Sequence, residues 1–353
     1  MGHLKSAIRN PQAAIPWHLV TAALYVAFAI YLYRPHLVDV SGWRWLLPVN
    51  AATAALGAYV LSRRWVAGFT GSLLAGLVYG FGPFLLGLAK FHPTASLLAA
   101  GIPWLFVPAA LLERRRGKWL AAPLWLLPFA VVALFFYLSA GRRLFAAPLH
   151  VEVRVSDLAG FIAPLALVSR STALLGVYHV PVAALALGLA MIWKARRYGF
   201  LLILTVGFLL AFCWPFIDAG KVAWLAVSPI LWLSIPMAWC AVLSGIGLEG
   251  LIESGPADRK WILAAAIVLG ILAIVALLLA AKCFQIMLGL GDGYGRLFVQ
   301  AALIYLVGAI ATTIIFFMTR QNLRLHWLRW AILCTALATD IFLGARYIVD
   351  HIL

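Results

Sequence analysis

Between Gly71 and Lys118 the chain reads GSLLAGLVYGFGPFLLGLAKFHPTASLLAAGIPWLFVPAALLERRRGK. Two apolar runs flank the polar turn Lys90-Phe91-His92-Pro93, and the second run stops at the basic block Arg114-Arg115-Arg116-Gly117-Lys118. Each run is long enough to cross a hydrocarbon core of about 30 Å at about 1.5 Å per helical residue. The pattern is that of a membrane hairpin. Its basic end is expected on the cytoplasmic side and its Lys-Phe-His-Pro tip outside.

The remaining chain has the same character. Hydrophobic residues make up 65% of it and charged residues 11%, against about 25% charged in an ordinary soluble domain. The expectation is an all-α, polytopic membrane protein forming a single membrane domain over residues 1–353. A net charge of +16 would suggest nucleic acid if it lay on one polar face. Here the basic residues stand in short segments between apolar runs, which points to membrane topology and to no nucleic-acid partner. Cys213, Cys240, Cys283 and Cys334 show no CxxC or metal-ligand spacing and read as packing residues. Cys213 and Cys283 both lie near expected outer ends, but spacing does not decide whether their sulfurs meet. No metal and no cofactor is expected.

Placed in order, the apolar runs give about eleven transmembrane helices. The first, Ile15 to Tyr33, follows the basic Lys5 and Arg9 and has no small-residue cleavage site after it, so it reads as a retained signal anchor. Trp17, Trp43 and Trp45 suit an aromatic belt. Gly76 and Gly80 form a small-xxx-small step, and Gly82-Pro83 predicts a kink that neighbouring helices must satisfy. Leu120 to Leu138 is a fifth span. The longest polar excursion, residues 141–172, is expected outside, with the apolar patch Leu158 to Val168 as a re-entrant or interfacial helix. Pro229 and Pro236 interrupt the run Val222 to Ile252, which predicts a short outer helix leading into the next span. In this arrangement 16 of the 27 Lys and Arg face the cytoplasm, a bias of the expected sign.

Two stretches carry a family resemblance. Asn50 to Arg116 has a small-residue helix, the Phe91-His92-Pro93 turn and a Trp/Pro-containing helix ending in Glu113-Arg114-Arg115. Val177 to Ile252 has a helix ending in Lys/Arg, a helix running to Trp214-Pro215, and a closing Val242-Leu243-Ser244-Gly245-Ile246-Gly247-Leu248-Glu249. Together these resemble the membrane-embedded GT-C glycosyltransferases, in particular their YfhO-like branch, over about half the chain. The resemblance implies a GT-C-like fold and a polyprenyl-phosphate-linked sugar handled at the outer face. It would carry the catalytic carboxylate to Asp39. The chain departs from the family in its first outer loop, which is reduced to Arg34–Arg44 with Asp39 as its sole acid. A degenerate relative, or a non-catalytic structural subunit of a membrane complex, is therefore the alternative.

Sugar transfer needs a carboxylate to activate the acceptor and cations to hold the phosphate leaving group. The outer segments offer Asp39 as the base, and Lys90, His92, Arg142, Arg143, Arg154, Asp157 and Arg170 as substrate-binding residues, with solvated loop charges as the plain reading of each one. Glu152, Asp218, Lys221 and Asp292 are further outer charges. Asp340 is the one acid well inside an expected span, costly there unless paired or protonated. Pairing with an outer cation is the preferred reading, while Arg346 and Asp350 are spaced to pair with each other. The glycine-alternating run Gly289 to Gly295 has neither a preceding strand nor a pore helix, and reads as an outer loop. The expected location is the inner (cytoplasmic) membrane of a bacterium, N-terminus cytoplasmic, with membrane lipids, including polyprenyl phosphate, and complex subunits as partners.

Overall fold

A stretch apolar on every side has no polar face to offer water, so it belongs at the centre of a bundle. Ile230–Ile252 is such a stretch, and every residue from Ile230 to Leu248 is buried. The computed structural model that shows this describes residues 14–36, 46–66, 68–91, 93–116, 118–142, 185–186, 188–189, 191–192, 198–218, 230–286, 293–321 and 325–352. Among them the regular structure is helical. In chain order the helices are α1 (Ala14–Tyr33), α2 (Leu46–Ser62), α3 (Phe69–Gly80), α4 (Pro83–Phe91), α5 (Pro93–Arg116), α6 (Lys118–Trp125), α7 (Leu127–Arg142), α8 (Tyr198–Asp218), α9 (Ile230–Ile252), α10 (Arg259–Ile286), α11 (Gly293–Arg320) and α12 (His326–Ile352).

Six stretches among the described residues are long and apolar enough to cross a membrane: Phe69–Ala89, Ala95–Leu112, Ile230–Ile252, Pro256–Lys282, Phe298–Arg320 and His326–Arg346. Trp17–Tyr33, Leu46–Ser62 and Gly199–Phe212 are shorter apolar helices. The protein is thus an all-helical membrane protein over its described residues. The expected fifth span bends at Leu126, whose N–H donates to Pro123 O at 3.2 Å between α6 and α7. Most of the expected sixth span lies outside the described residues.

Packing around α9 depends on small residues. Lipid is as apolar as leucine, so membrane helices gain by close van der Waals contact, which requires residues without bulk. At Gly71 a Cβ would stand 2.6 Å from Gly245 O, which places the α3 and α9 backbones in direct contact. The opposite flank of α3 meets α2, where a Cβ on Gly76 would stand 2.6 Å from Ala55 O. The expected Gly76/Gly80 step therefore serves α2, while Gly71 serves α9.

The expected break at Pro236 does not occur. α9 runs through this proline, because the facing helix α8 yields space at Gly207, where a Cβ would come within 2.7 Å of Pro236 Cδ. The missing N–H of one proline is tolerated when a neighbour packs against the bend. Further down, Trp65, Phe106, Trp125 and Phe200 surround Trp239, with ring centroids 4.6 to 5.7 Å from it.

α10 and α11 form a hairpin on a small core of their own, built from Leu269, Ala273, Ala276, Ala301, Ala302 and Tyr305. Bonds at one end of the molecule close this hairpin on itself and, separately, tie α12 to the segment after α9. There Arg259 Nη2 donates to Thr319 O at 3.2 Å and Arg320 O at 3.3 Å, and Arg329 Nη1 donates to Ser254 O at 2.7 Å. Guanidinium groups are suited to helix C-termini, where carbonyls lack partners and the dipole is negative.

The glycine contacts predict a contrast between two variants. G71A should lower the unfolding free energy by about 1–3 kcal/mol through overpacking against α9. G270A, where a Cβ meets nothing within 4 Å, should be neutral or stabilising by about 0.5–1 kcal/mol. Unfolding in detergent followed by circular dichroism measures both; equal midpoints would refute the tight α3–α9 seam.

Candidate functional site

The residues that sequence reasoning placed at the outer face are largely beyond what the structure describes. Asp39, His92, Arg143, Arg154, Asp157 and Arg170 lie outside the described residues, as does nearly all of the 141–172 excursion. Only the backbones of Lys90, in the last turn of α4, and Arg142, at the end of α7, are placed. Both close helices that lead away from the arginine-rich end. α3, which α4 continues, starts at that end, and α7 packs against α5 and α9. Cys240 and Cys334 are free thiols. No group of three or more His, Cys, Asp or Glu able to hold a metal occurs among the described residues.

The described geometry centres instead on the broken span α3–α4. Pro83 has no N–H, so the Tyr79 carbonyl loses its intrahelical partner and the helix cannot continue unbroken. Phe81 N–H donates to Leu77 O at 3.0 Å and closes α3; Leu86 N–H donates to Gly82 O at 3.3 Å and opens α4. Asp340 of α12, only 8% exposed, comes to this break. It lines a small pocket together with Val78, Phe81, Gly82, Pro83 and Gly344. A carboxylate beside the first turn of a helix is favoured by the positive end of its dipole.

A second acid serves the other end of the same span. Gly68 N–H, just ahead of α3, donates to Glu249 Oε1 at 2.7 Å, and Arg63 Nη1 donates to Gly68 O at 3.0 Å. Glu249 reaches across from the last turn of α9. Both halves of the broken span thus start beside a carboxylate from a different helix.

Between these ends, buried hydroxyl and amide groups stitch the apolar helices. Asn50 Nδ2 of α2 donates to Ser96 Oγ of α5. Tyr79 Oη of α3 donates to Ala99 O of α5 at 2.7 Å and lies 3.4 Å from Ser234 O of α9. Tyr25 Oη of α1 donates to Leu73 O at 2.9 Å. Away from water each such group needs a partner, so these bonds set helix register as well as adding stability. Arg346 Nε meets Asp350 Oδ2 at 3.3 Å, as their spacing in the sequence predicts.

Sequence reasoning singled out Asp340 but not its neighbour, since nothing local couples residue 340 to a proline at 83. Glu249 was visible only as the acid closing an apolar run. Comparison with protein-family models, curated proteins and solved structures returns no match for the chain.

Glu249 lends itself to a direct measurement. E249A should lower the unfolding free energy by about 1–2 kcal/mol, the usual cost of losing an N-terminal cap, and E249Q by less because it keeps an acceptor oxygen. Denaturant unfolding in micelles reports both. Wild-type stability in E249A would remove the cap from the account of α3.

Proposed function

We propose that the protein handles a polyprenyl-phosphate-linked sugar at the outer face of a bacterial inner membrane, as a GT-C-like glycosyltransferase or a degenerate relative. In this reading about eleven helices span the bilayer and the N-terminus is cytoplasmic. The supporting observation is the separation of the two ends of the bundle. Arg63, Arg259, Arg320 and Arg329 gather at one end through helix-terminal contacts, whereas Lys90 and Arg142 close helices that run the other way.

The chemistry follows from the residue types. The Asp39 carboxylate takes the proton of an acceptor hydroxyl as its oxygen attacks the anomeric carbon. The bond from that carbon to the lipid phosphate oxygen breaks, and the electron pair leaves with the polyprenyl phosphate. Lys90, His92, Arg142, Arg143, Arg154 and Arg170 hold the departing charge, which lowers the barrier as negative charge develops. Asp157 orients the sugar hydroxyls.

The second reading, a non-catalytic subunit, is favoured by one observation. The α10–α11 hairpin packs on its own core and turns wide apolar faces outward, including Ile267, Ile271, Ile274, Leu303 and Ile310. In that case the hairpin seats a partner helix and no transfer occurs.

Membranes containing the protein, supplied with a polyprenyl-phosphate sugar and assayed for sugar leaving the lipid, separate the two. Transfer that falls about 100-fold or more in D39N supports the enzyme. No transfer by the wild type, together with co-purifying membrane chains, sinks it and leaves the subunit.

A further inference from the structure

The arginine-rich end carries a second pattern that the reading above does not use. Among the described residues the exposed tryptophans are Trp17, Trp261, Trp327 and Trp330, 48 to 68% exposed. All four lie in the first turn or two of α1, α10 or α12. They share one level: Trp17 packs on Phe69 with ring centroids 5.2 Å apart, and Trp330 Nε1 donates to Thr70 Oγ1 at 2.6 Å. Tryptophan favours the headgroup layer, where its ring is shielded and its N–H stays wet. This ring of indoles therefore marks where the bilayer surface crosses the protein.

Cations cluster at one corner of that ring. Arg259 opens α10 and holds the last carbonyls of α11, which brings Lys260 and Arg320 to the same place. Lys260 and Arg320 are exposed. The acids nearby are Glu253 and the half-buried Asp258, whose Oδ2 accepts from Gly255 N–H at 3.1 Å. Next to the corner, towards the membrane interior, α10 exposes Leu263, Ile267 and Ile274. The corner thus offers cations at headgroup level, tryptophans beside them and an apolar face for acyl chains.

We propose that the corner formed by Lys260, Arg320, Trp261 and the exposed face of α10 is a binding site for an anionic phospholipid. The phosphate and its negative headgroup lie against Lys260 and Arg320, and the acyl chains run along α10. A zwitterionic lipid fits the same apolar face but brings a positive group to a positive corner. Each Lys or Arg near an anionic lipid surface contributes appreciably to attraction. The site stands on these surface residues alone and does not depend on any sugar chemistry.

The test uses the whole chain purified in detergent, titrated in parallel with phosphatidylglycerol and phosphatidylcholine, with bound lipid counted by intact-complex mass spectrometry. The wild type should retain phosphatidylglycerol about tenfold better than phosphatidylcholine. K260Q/R320Q should lose that preference, and K260Q alone should lose part of it. K282Q removes an exposed lysine at the opposite end of the same helix and should leave the preference intact. Circular dichroism confirms that each variant is folded. Equal retention of the two lipids by the wild type, a preference that survives in K260Q/R320Q, or an equal loss in K282Q each overturns the site.

Discussion

The contact that the bundle depends on is the one between the Gly71 and Gly245 backbones. A helix apolar on all sides can be surrounded by other helices only if they come close enough to exclude lipid, and dispersion falls off steeply with distance. Two glycines facing each other give α3 and α9 that proximity. From this seam, α2 packs on the other flank of α3, α5 reaches α2 and α3 through side-chain hydrogen bonds, and α8 accepts Pro236 at Gly207. Bulk at the seam would therefore displace several helices together.

The second constraint is that a membrane gives no water to helix ends. The chain meets it by lending charged groups between helices. Glu249 accepts from the N–H ahead of α3, Asp340 stands at the interruption before α4, and Arg259 and Arg329 take carbonyls at and beyond the ends of α11 and α9. Few charges occur in the sequence, and Glu249, Asp340, Arg259 and Arg329 are all placed at such termini. This economy explains how 11% charged residues suffice for a protein with so many helix ends.

Much of this is legible in the sequence. Apolar runs give helices because an isolated backbone in lipid must satisfy its own hydrogen bonds, so the placement of α5, α10, α11 and α12 follows from composition alone. The Gly82-Pro83 kink was legible for the same local reason, and so was the Arg346–Asp350 pair. Pro236 misled because its effect depends on Gly207, a residue on another helix, and local sequence carries no trace of which helix faces it. Gly71 was passed over beside the more regular Gly76/Gly80 step. The site at the outer face was read from residue types alone, and Asp39, His92, Arg143, Arg154, Asp157 and Arg170 lie outside the described residues.

The hairpin α10–α11 joins neighbours in sequence, whereas the Gly71–Gly245 seam joins residues from distant parts of the chain. Contacts between near neighbours form sooner than those that must close a long loop. During synthesis the seam cannot form until α9 has emerged, so α2, α3 and α5 must wait in the membrane with their central groove unfilled. The hairpin follows next and closes on itself at once, and α12 comes last. Assembly thus has a built-in order in which the middle of the bundle is completed late, by a helix that enters among others already in place.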